Sequence, residues 1–347
     1  MERISDWHPL LAASGAQIDE SGVVKDFGDP AAEARALRDG GIVVPLTDSG
    51  LISVSGPDAA SFLNAQLTSE IAALTLQHGQ YTGYCTPKGR LLATMLAQFD
   101  GDIRWLMLPI VVAESVALRL QRYVLRAKVT VRVSNGALAL FGVAGPLAAT
   151  ALGGGFTTPG SRWFDVVRRH DVFLMSLPGG RYLVSCPAQQ ASATWQQLSQ
   201  HLKPAGSGLW DLQTIRSGIA TVTDATQEAF IPQMIALDAY GGVNFEKGCY
   251  PGQEIVARTR YLGDLKRRLY YGHCSQPLAP GELIVACHNG DSVGTVTNAA
   301  ANDQDVWEFL AVVRRDSVKA DLGLCTQDGH AVTIDMPVTD MLGQDGN

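Results

Sequence analysis

The chain has 347 residues, 46% of them hydrophobic and 18% charged, with a formal net charge of −7 and a pI near 5.5. The length is large for one core and predicts two or three domains, while the composition is ordinary for a globular protein. The acidic balance argues against a nonspecific grip on nucleic acid, which calls for a basic surface.

Residues 1–10 include acids, Trp7 and Pro9 but no apolar stretch of the signal-peptide kind. No apolar run approaches the roughly 18 residues a membrane span needs, and residues 105–113 are broken by Pro109. A soluble, cytoplasmic protein with no membrane contact is expected. The first 45 residues are rich in Ala, Gly and Asp, and residues 30–38 predict a short helix with Asp29 as cap and Pro30 in its first turn. Leu51-Ile52-Ser53-Val54-Ser55-Gly56-Pro57-Asp58-Ala59-Ala60 then recurs in altered form as Leu140-Phe141-Gly142-Val143-Ala144-Gly145-Pro146-Leu147-Ala148-Ala149. Each copy reads as an apolar strand, a glycine turn and a proline at a helix start, so two related α+β units are expected.

Between the copies, residues 90–99 and 103–108 predict strands about the turn Asp100-Gly101-Asp102, residues 111–123 an amphipathic helix, and residues 129–133 another strand. Residues 181–186 predict a strand and 188–202 a helix. Gly206 to Gly208 reads as a flexible break before a helix around 210–216, which Gly218 closes. After about Lys266 the pattern changes. Short strand candidates at 270–272, 283–287, 293–297, 309–313 and 332–334, punctuated by Gly, Pro, Asn and Asp, predict a small all-β barrel or sandwich. Two basic clusters, Lys266-Arg267-Arg268 and Arg119/Arg122/Arg126/Lys128, read as solvated faces or as local polyanion sites.

Six cysteines stand at 85, 186, 249, 274, 287 and 325. None forms a Cys-x-x-Cys pair, and no His-Cys group has zinc spacing. In an acidic chain of this size they read as reduced thiols, with no set for a resident iron–sulfur cluster. Phosphate-loop, Gly-x-Ser-x-Gly and His-Glu-x-x-His motifs are absent.

Chemistry concentrates in Lys247-Gly248-Cys249-Tyr250-Pro251-Gly252-Gln253-Glu254. The Pro-Gly pair argues against a continuous helix, and the glycines permit a sharp turn or a close backbone approach. A nearby ammonium favours the thiolate, so the segment reads as a loop presenting a thiol, against the alternative of a small buried cysteine. This octapeptide, continued by Ile255-Val256-Ala257-Arg258, resembles the signature of the YgfZ family, relatives of the T-protein aminomethyltransferase of the glycine cleavage system. Supporting matches are residues 210–218, Phe230-Ile231-Pro232-Gln233, Gly241-Gly242-Val243, Gly263 with Lys266-Arg267-Arg268, Cys85-Thr86-Pro87-Lys88-Gly89-Arg90 and Gly142-Val143-Ala144-Gly145.

The resemblance implies an α+β fold. Two intertwined ferredoxin-like domains (residues 1–265, the second unit about 51–135) and a C-terminal β-barrel (266–347) would form a three-lobed ring around a central cavity. It also implies a folate-binding protein, holding tetrahydrofolate or a derivative, that supports iron–sulfur cluster assembly or repair in client enzymes, including tRNA-modifying ones. The implied partners are those client enzymes or assembly factors, with no stable nucleic-acid binding. Cys249 would be the functional thiol, tuned by Lys247 and Glu254. Trp210 and the segment around Gln233 would hold the folate, with Tyr250, Gln253 and Lys88 beside them.

Each residue has a plainer reading: Lys247 a surface lysine, Gln253 and Glu254 a helix cap, Tyr250 and Trp210 packing, Lys88-Gly89 an ordinary turn, and Arg258 an ion-pair partner of Glu254. The chain also departs from its relatives. Where the aminomethyltransferases carry an aspartate after the glycine matching Gly89, it has Ala93-Thr94. Arg216 replaces their glutamate, and their position matching 249 lacks a cysteine. Within the YgfZ pattern an asparagine often stands where Ala236 does, and no second tryptophan appears near Ser49. A folate-dependent aminomethyltransferase or demethylase, and a ligand-free interaction scaffold, are the alternative readings.

Overall fold

A computed structural model describes residues 8–153, 157–160, 162–262, 265–320 and 323–345; Trp7 and Gly263 of the sequence reading lie outside them. The chain is mixed α+β and forms two compact units, Met1–Ala60 with Ala73–Gln80 and Leu96–Trp210, and Ser61–Ala72 with Tyr81–Met95 and Asp211–Asn347. Among the described residues no helix is long and apolar enough to cross a membrane.

In the first unit a six-stranded sheet is ordered Val166–Arg169, Val172–Leu177, Arg181–Pro187, Leu138–Ala144, Ile42–Pro45, Lys203–Pro204. Its core gathers Leu11, Val43, Phe141, Val184 and Leu198 about Trp195, whose ring stacks on Phe27 at 5.5 Å and on Phe141 at 5.9 Å. The helix Pro30–Asp39 begins as expected, with the Asp29 carboxylate accepting the Ala32 N–H. A further sheet runs Gln80–Cys85, Leu91–Phe99, Arg104–Pro109, Ser49–Ser55, Thr130–Val133.

The sequence repeat is a structural repeat. Strands Ser49–Ser55 and Leu138–Ala144 lead into Gly56 (φ 112°) and Gly145 (φ 111°), then into helices Ala59–Asn64 and Ala148–Gly153. A Cβ at Gly56 would lie 2.2 Å from the Lys128 carbonyl oxygen, and one at Gly145 2.6 Å from that of Gly40. Both turns therefore need glycine for φ and for space.

The expected flexible break at 206–208 is a correction. The helix starts there, as Ser207–Arg216, and Gly206 donates to Glu33 Oε2 while Ser207 Oγ donates to the Val24 carbonyl. A Cβ at Gly206 would overlap the Lys25 carbonyl oxygen at 1.8 Å, so this glycine serves close approach. The helix expected over 188–202 is a 3-10 turn, Ala188–Gln190, followed by Ala191–Ser199.

In the second unit the C-terminal strands close into a barrel ordered Arg267–Cys274, Trp307–Arg314, Ser292–Ala301, Leu283–Ala286, Leu324–Thr326, Ala331–Pro337. The first and last strands pair and leave no edge. Inside are Ile284, Val293, Val296, Phe309, Ala311 and Val313. Leu324–Thr326, absent from the sequence reading, is too short to show an alternating pattern.

That strand also corrects the cysteine reading. Ala286 pairs with Leu324 and Val285 with Cys325, which carries Cys287 to Cys325, and a disulfide joins them at a Cα–Cα separation of 5.4 Å. The two are at a sequence separation of 38, so only the strand pairing reveals the partner. The other four thiols are free.

Arg216 has an equally specific partner. Its guanidinium donates to both Glu308 oxygens, at 2.8 and 2.6 Å, and Glu308 also accepts from Tyr271 and Asn302. Burial pushes the Glu308 carboxyl up, but these hydrogen bonds outweigh it and hold the group below its ordinary value.

Candidate functional site around the Cys249 loop

Four segments of the second unit meet around residues 247–254. The first is a ledge at residues 67–70. The Lys247 ammonium donates to the carbonyls of Leu67 at 2.7 Å and Ser69 at 2.6 Å, and lies 5.2 Å from the centre of the Tyr250 ring. Asn244 braces the approach. Its Oδ1 accepts the N–H groups of Glu246 and Lys247, its Nδ2 donates to Glu70, and its backbone N–H donates to the Thr68 carbonyl. Burial lowers the Lys247 pKa to about 8, with Glu70 opposing. The two carbonyls serve the charged form, so Lys247 anchors the loop. The sequence alone gives no sign of this anchoring role.

The second segment is the turn at 85–90. The Gly89 N–H donates to the Thr86 carbonyl and the Thr86 N–H to that of Arg90, with Gly89 at φ 70°. This is an ordinary turn between strands, and Lys88 stands exposed on it. Gly252 (φ 84°) packs against the turn: its Cβ would lie 2.5 Å from the Thr86 carbonyl oxygen and 2.6 Å from Gly89 Cα.

The third segment, residues 228–236, is tied to that turn. Arg90 Nη1 donates to the Ala229 carbonyl at 2.7 Å, the Leu91 N–H to that of Phe230, and the Glu228 N–H to that of Leu91. Gln233 lies in the 3-10 turn Pro232–Ile235 and is 6% exposed. Its Nε2 donates to the Val256 carbonyl at 2.6 Å, but its buried Oε1 has no partner. Ala236, ending this turn, holds φ 55°, a left-handed conformation that asparagine tolerates better than alanine.

The fourth segment is the helix Gln253–Leu262. Its Val256 N–H donates to the Gly252 carbonyl, and Val256 is fully buried. Gln253 Nε2 points back to the Lys247 carbonyl at 3.5 Å. Glu254, in the first turn, is exposed. Among the described residues no ion pair joins Glu254 to Arg258, contrary to expectation. Both side chains are solvated, where such a pair gains little.

Held by these flanks, Gly248 and Cys249 are exposed, and nothing lies within 4 Å of where a Gly248 Cβ would be. Cys249 is the exposed member of the four free cysteines; Cys85, Cys186 and Cys274 are buried. Burial pushes the Cys85 thiol up to about 12 and raises that of Cys186. Burial also raises the Tyr250 phenol, with Cys85 adding to the shift. Among the described residues no group of three or more His, Cys, Asp or Glu is placed to hold a metal ion.

Trp210 belongs to the first unit. Its ring is half-buried against Gly142, where a Cβ would lie 2.4 Å from it, and the Arg181 guanidinium sits 4.8 Å from its centre. Gly142 is thus explained by Trp210 packing. Sequence reasoning missed the ledge at 67–70, which carries no motif, and Asn244, whose position two residues before Glu246 is the spacing of an Asx turn.

Residues 13–159 match the GCVT N-terminal domain family. The chain is 35% identical over 284 residues to the tRNA-modifying protein YgfZ of Edwardsiella ictaluri, covering 80% of this chain and 85% of that one. It is 32% identical over 282 residues to the protein of the same name from Sodalis glossinidius, covering 79% and 85%. In three dimensions it is similar to the glycine cleavage system aminomethyltransferase T of Bartonella henselae, with a TM-score of 0.75 at 17% identity over 94% of this chain and 95% of that one. That likeness shows a shared fold, and the sequence relatives, matched over most of both chains, show that this chain belongs to the YgfZ family.

Proposed function

We propose that this chain is a folate-binding accessory protein of tRNA modification, supporting iron–sulfur client enzymes through the thiol of Cys249. The observation that carries the reading is the exposure of Cys249 at the tip of a loop fixed on both flanks, while the other free thiols are buried. A soft sulfur ligand presented on a rigid loop suits transient contact with iron or with a partner's thiol. The relatives' name supplies the tRNA connection.

The fit to folate rests on Gln233. A buried carbonyl oxygen with no donor is costly, by about 1–3 kcal/mol, and the N–H groups of a pterin edge are the donors it lacks. Gln233 would take that edge, Gln253 and Tyr250 would flank it, and the exposed Lys88 would meet the carboxylates of the folate tail. Bound reduced folate supplies a one-carbon carrier. Trp210 is assigned to folate by the family resemblance and is tested separately by its fluorescence and by Trp210→Ala. A transferase reading finds less support, because Ala93 and Thr94 are buried and the Thr94 hydroxyl already accepts the Val222 N–H.

Calorimetric titration with tetrahydrofolate tests this. Micromolar affinity is expected, on the order of −8 kcal/mol, with Gln233→Leu weakening it about tenfold or more. No heat at millimolar tetrahydrofolate would remove the cofactor. Turnover with one-carbon donors would favour the transferase.

A further inference from the structure

Two cross-strand pairs, one from each sheet, meet around a cavity. Gln98 stands opposite Trp105 in one sheet, and Phe173 opposite Ser185 in the other. Facing residues in paired strands share one side of a sheet. The Ser185 hydroxyl donates to Gln98 Oε1 at 3.2 Å and so joins the two pairs. The cavity beside them measures about 220 Å³ and is lined by Gln98, Trp105 and Phe173, all buried, with Ile103, Leu138 and Pro187 half-buried around them. A cavity of about 150 Å³ accepts benzene, so this one has room for a ring and a short arm. Gln98 is 1% exposed, and its Nε2 has no hydrogen-bond partner. Leaving a buried amide half-satisfied is costly, and in this lining it calls for one further polar atom beside it.

The charged lining is acidic: Asp100, Asp102 and Asp171 against Arg168. Arg168 donates to the Asp100 carbonyl at 3.2 Å and to the Asp171 carboxylate at 3.0 Å, with its guanidinium 5.0 Å from the centre of the Phe173 ring. It ties two hairpin tips together and balances Asp171. The Asp100 carboxylate takes only uncharged donors, the N–H groups of Asp102 and Ile103 and the Trp105 indole. Asp102 is exposed, and among the described residues no ion pair engages it. Arg104 does not compensate these two, because it lies over the Phe99 ring at 4.5 Å, and the Phe99–Arg104 pair alternates to the other side of the sheet. We propose that this cavity binds a small aromatic amine with a hydroxyl on its ring. The hydroxyl meets the Gln98 amide, the ring lies beside Trp105 and Phe173, and the ammonium faces Asp100 and Asp102. A hydroxyl donates as well as accepts, so it satisfies the amide in either orientation. The lining belongs wholly to the first unit and the Cys249 loop to the second, so this site is separate from the thiol.

An NMR titration of the full chain with tyramine tests this, read at the Trp105 indole N–H. Saturable binding is expected, with a dissociation constant of about 0.1–1 mM for so small a ligand. Phenethylamine, which lacks the hydroxyl, is expected to bind about fivefold more weakly. Desaminotyrosine, with a carboxylate in place of the ammonium, is expected to bind about tenfold more weakly. Asp102→Asn, at an exposed position that leaves the fold intact, should weaken tyramine about threefold. Gln98→Leu should make tyramine and phenethylamine bind alike; should that variant fail to fold, the ligand series and Asp102→Asn decide the matter on their own. No saturation by about 10 mM tyramine would overturn the proposal and leave the cavity to water. So would desaminotyrosine binding as well as tyramine, or tyramine binding that neither shifts the Trp105 signal nor responds to Asp102→Asn.

Discussion

Gly252 and Gly89 meet backbone to backbone, so closely that a Cβ on Gly252 would lie 2.6 Å from Gly89 Cα and 2.7 Å from Gly89 N. The contact joins the Cys249 loop to the turn at 85–90, and both glycines have positive φ. Two motifs separated by more than 150 residues are thus one structural unit. Gly252→Ala adds a methyl where neither the conformation nor the space admits it, and is expected to cost about 2–4 kcal/mol. Gly248→Ala, which enters open space, should change stability by less than about 0.5 kcal/mol. Urea denaturation of both variants checks the contrast.

Cys249 should be the most reactive thiol. Limited alkylation of the native protein followed by peptide mapping is expected to label position 249 first. Cys85, Cys186 and Cys274 should label only on unfolding, because burial shields them and keeps Cys85 and Cys186 protonated. Early labelling of Cys85 or Cys274 would contradict the loop geometry.

Glu308 should govern part of the acid stability of the second unit. Its folded-state pKa lies below its ordinary value of 4.5. The stability it contributes is therefore complete above that value and is lost as pH falls through the lower folded value. Glu308→Gln is expected to cost about 2–3 kcal/mol at pH 7, moderated by the 42% exposure of the Arg216 side chain. It should also flatten the fall in stability between pH 7 and about pH 3. Urea midpoints measured across that interval check both.

The Cys287–Cys325 bond closes a loop of 38 residues in sequence separation. Its reduction removes a constraint on the unfolded chain of about 3–4 kcal/mol. Thermal unfolding with and without reductant should show the loss, and Cys287→Ser should show it in both conditions. A transition indifferent to reductant, with both thiols open to alkylation after denaturation, would show that the pair is not bonded.

Much of this was legible because some signals are local. Asp29 and Pro30 announce a helix start wherever they occur, and Gly56 and Gly145 follow the same strand in both copies of a repeat. Composition after Lys266 was enough for short strands, and the octapeptide for a loop and a family. What escaped depends on distant partners. Gly206 looks like a hinge until the Lys25 carbonyl is placed against it, and the anchoring of Lys247 is invisible until the Leu67 and Ser69 carbonyls are placed beside its ammonium. The expected Glu254–Arg258 pair failed because helical spacing permits an ion pair without compensating the solvation both ends already have. The orphan oxygen of Gln233 has no sequence signature.

The central claim is that the Cys249 thiol does the work of this loop. The direct measurement is the activity of an iron–sulfur enzyme that thiolates tRNA, in cells whose only copy of this protein carries Cys249→Ser. Serine nearly preserves size, so fold and tetrahydrofolate affinity should be kept, but it offers neither a thiolate nor a soft ligand for iron. Loss of the client enzyme's activity, with the variant folded and expressed at the normal level, is the predicted result. Full activity under the same conditions would contradict it and leave residues 247–254 as a structural clasp between Gly89, Leu67 and Ser69.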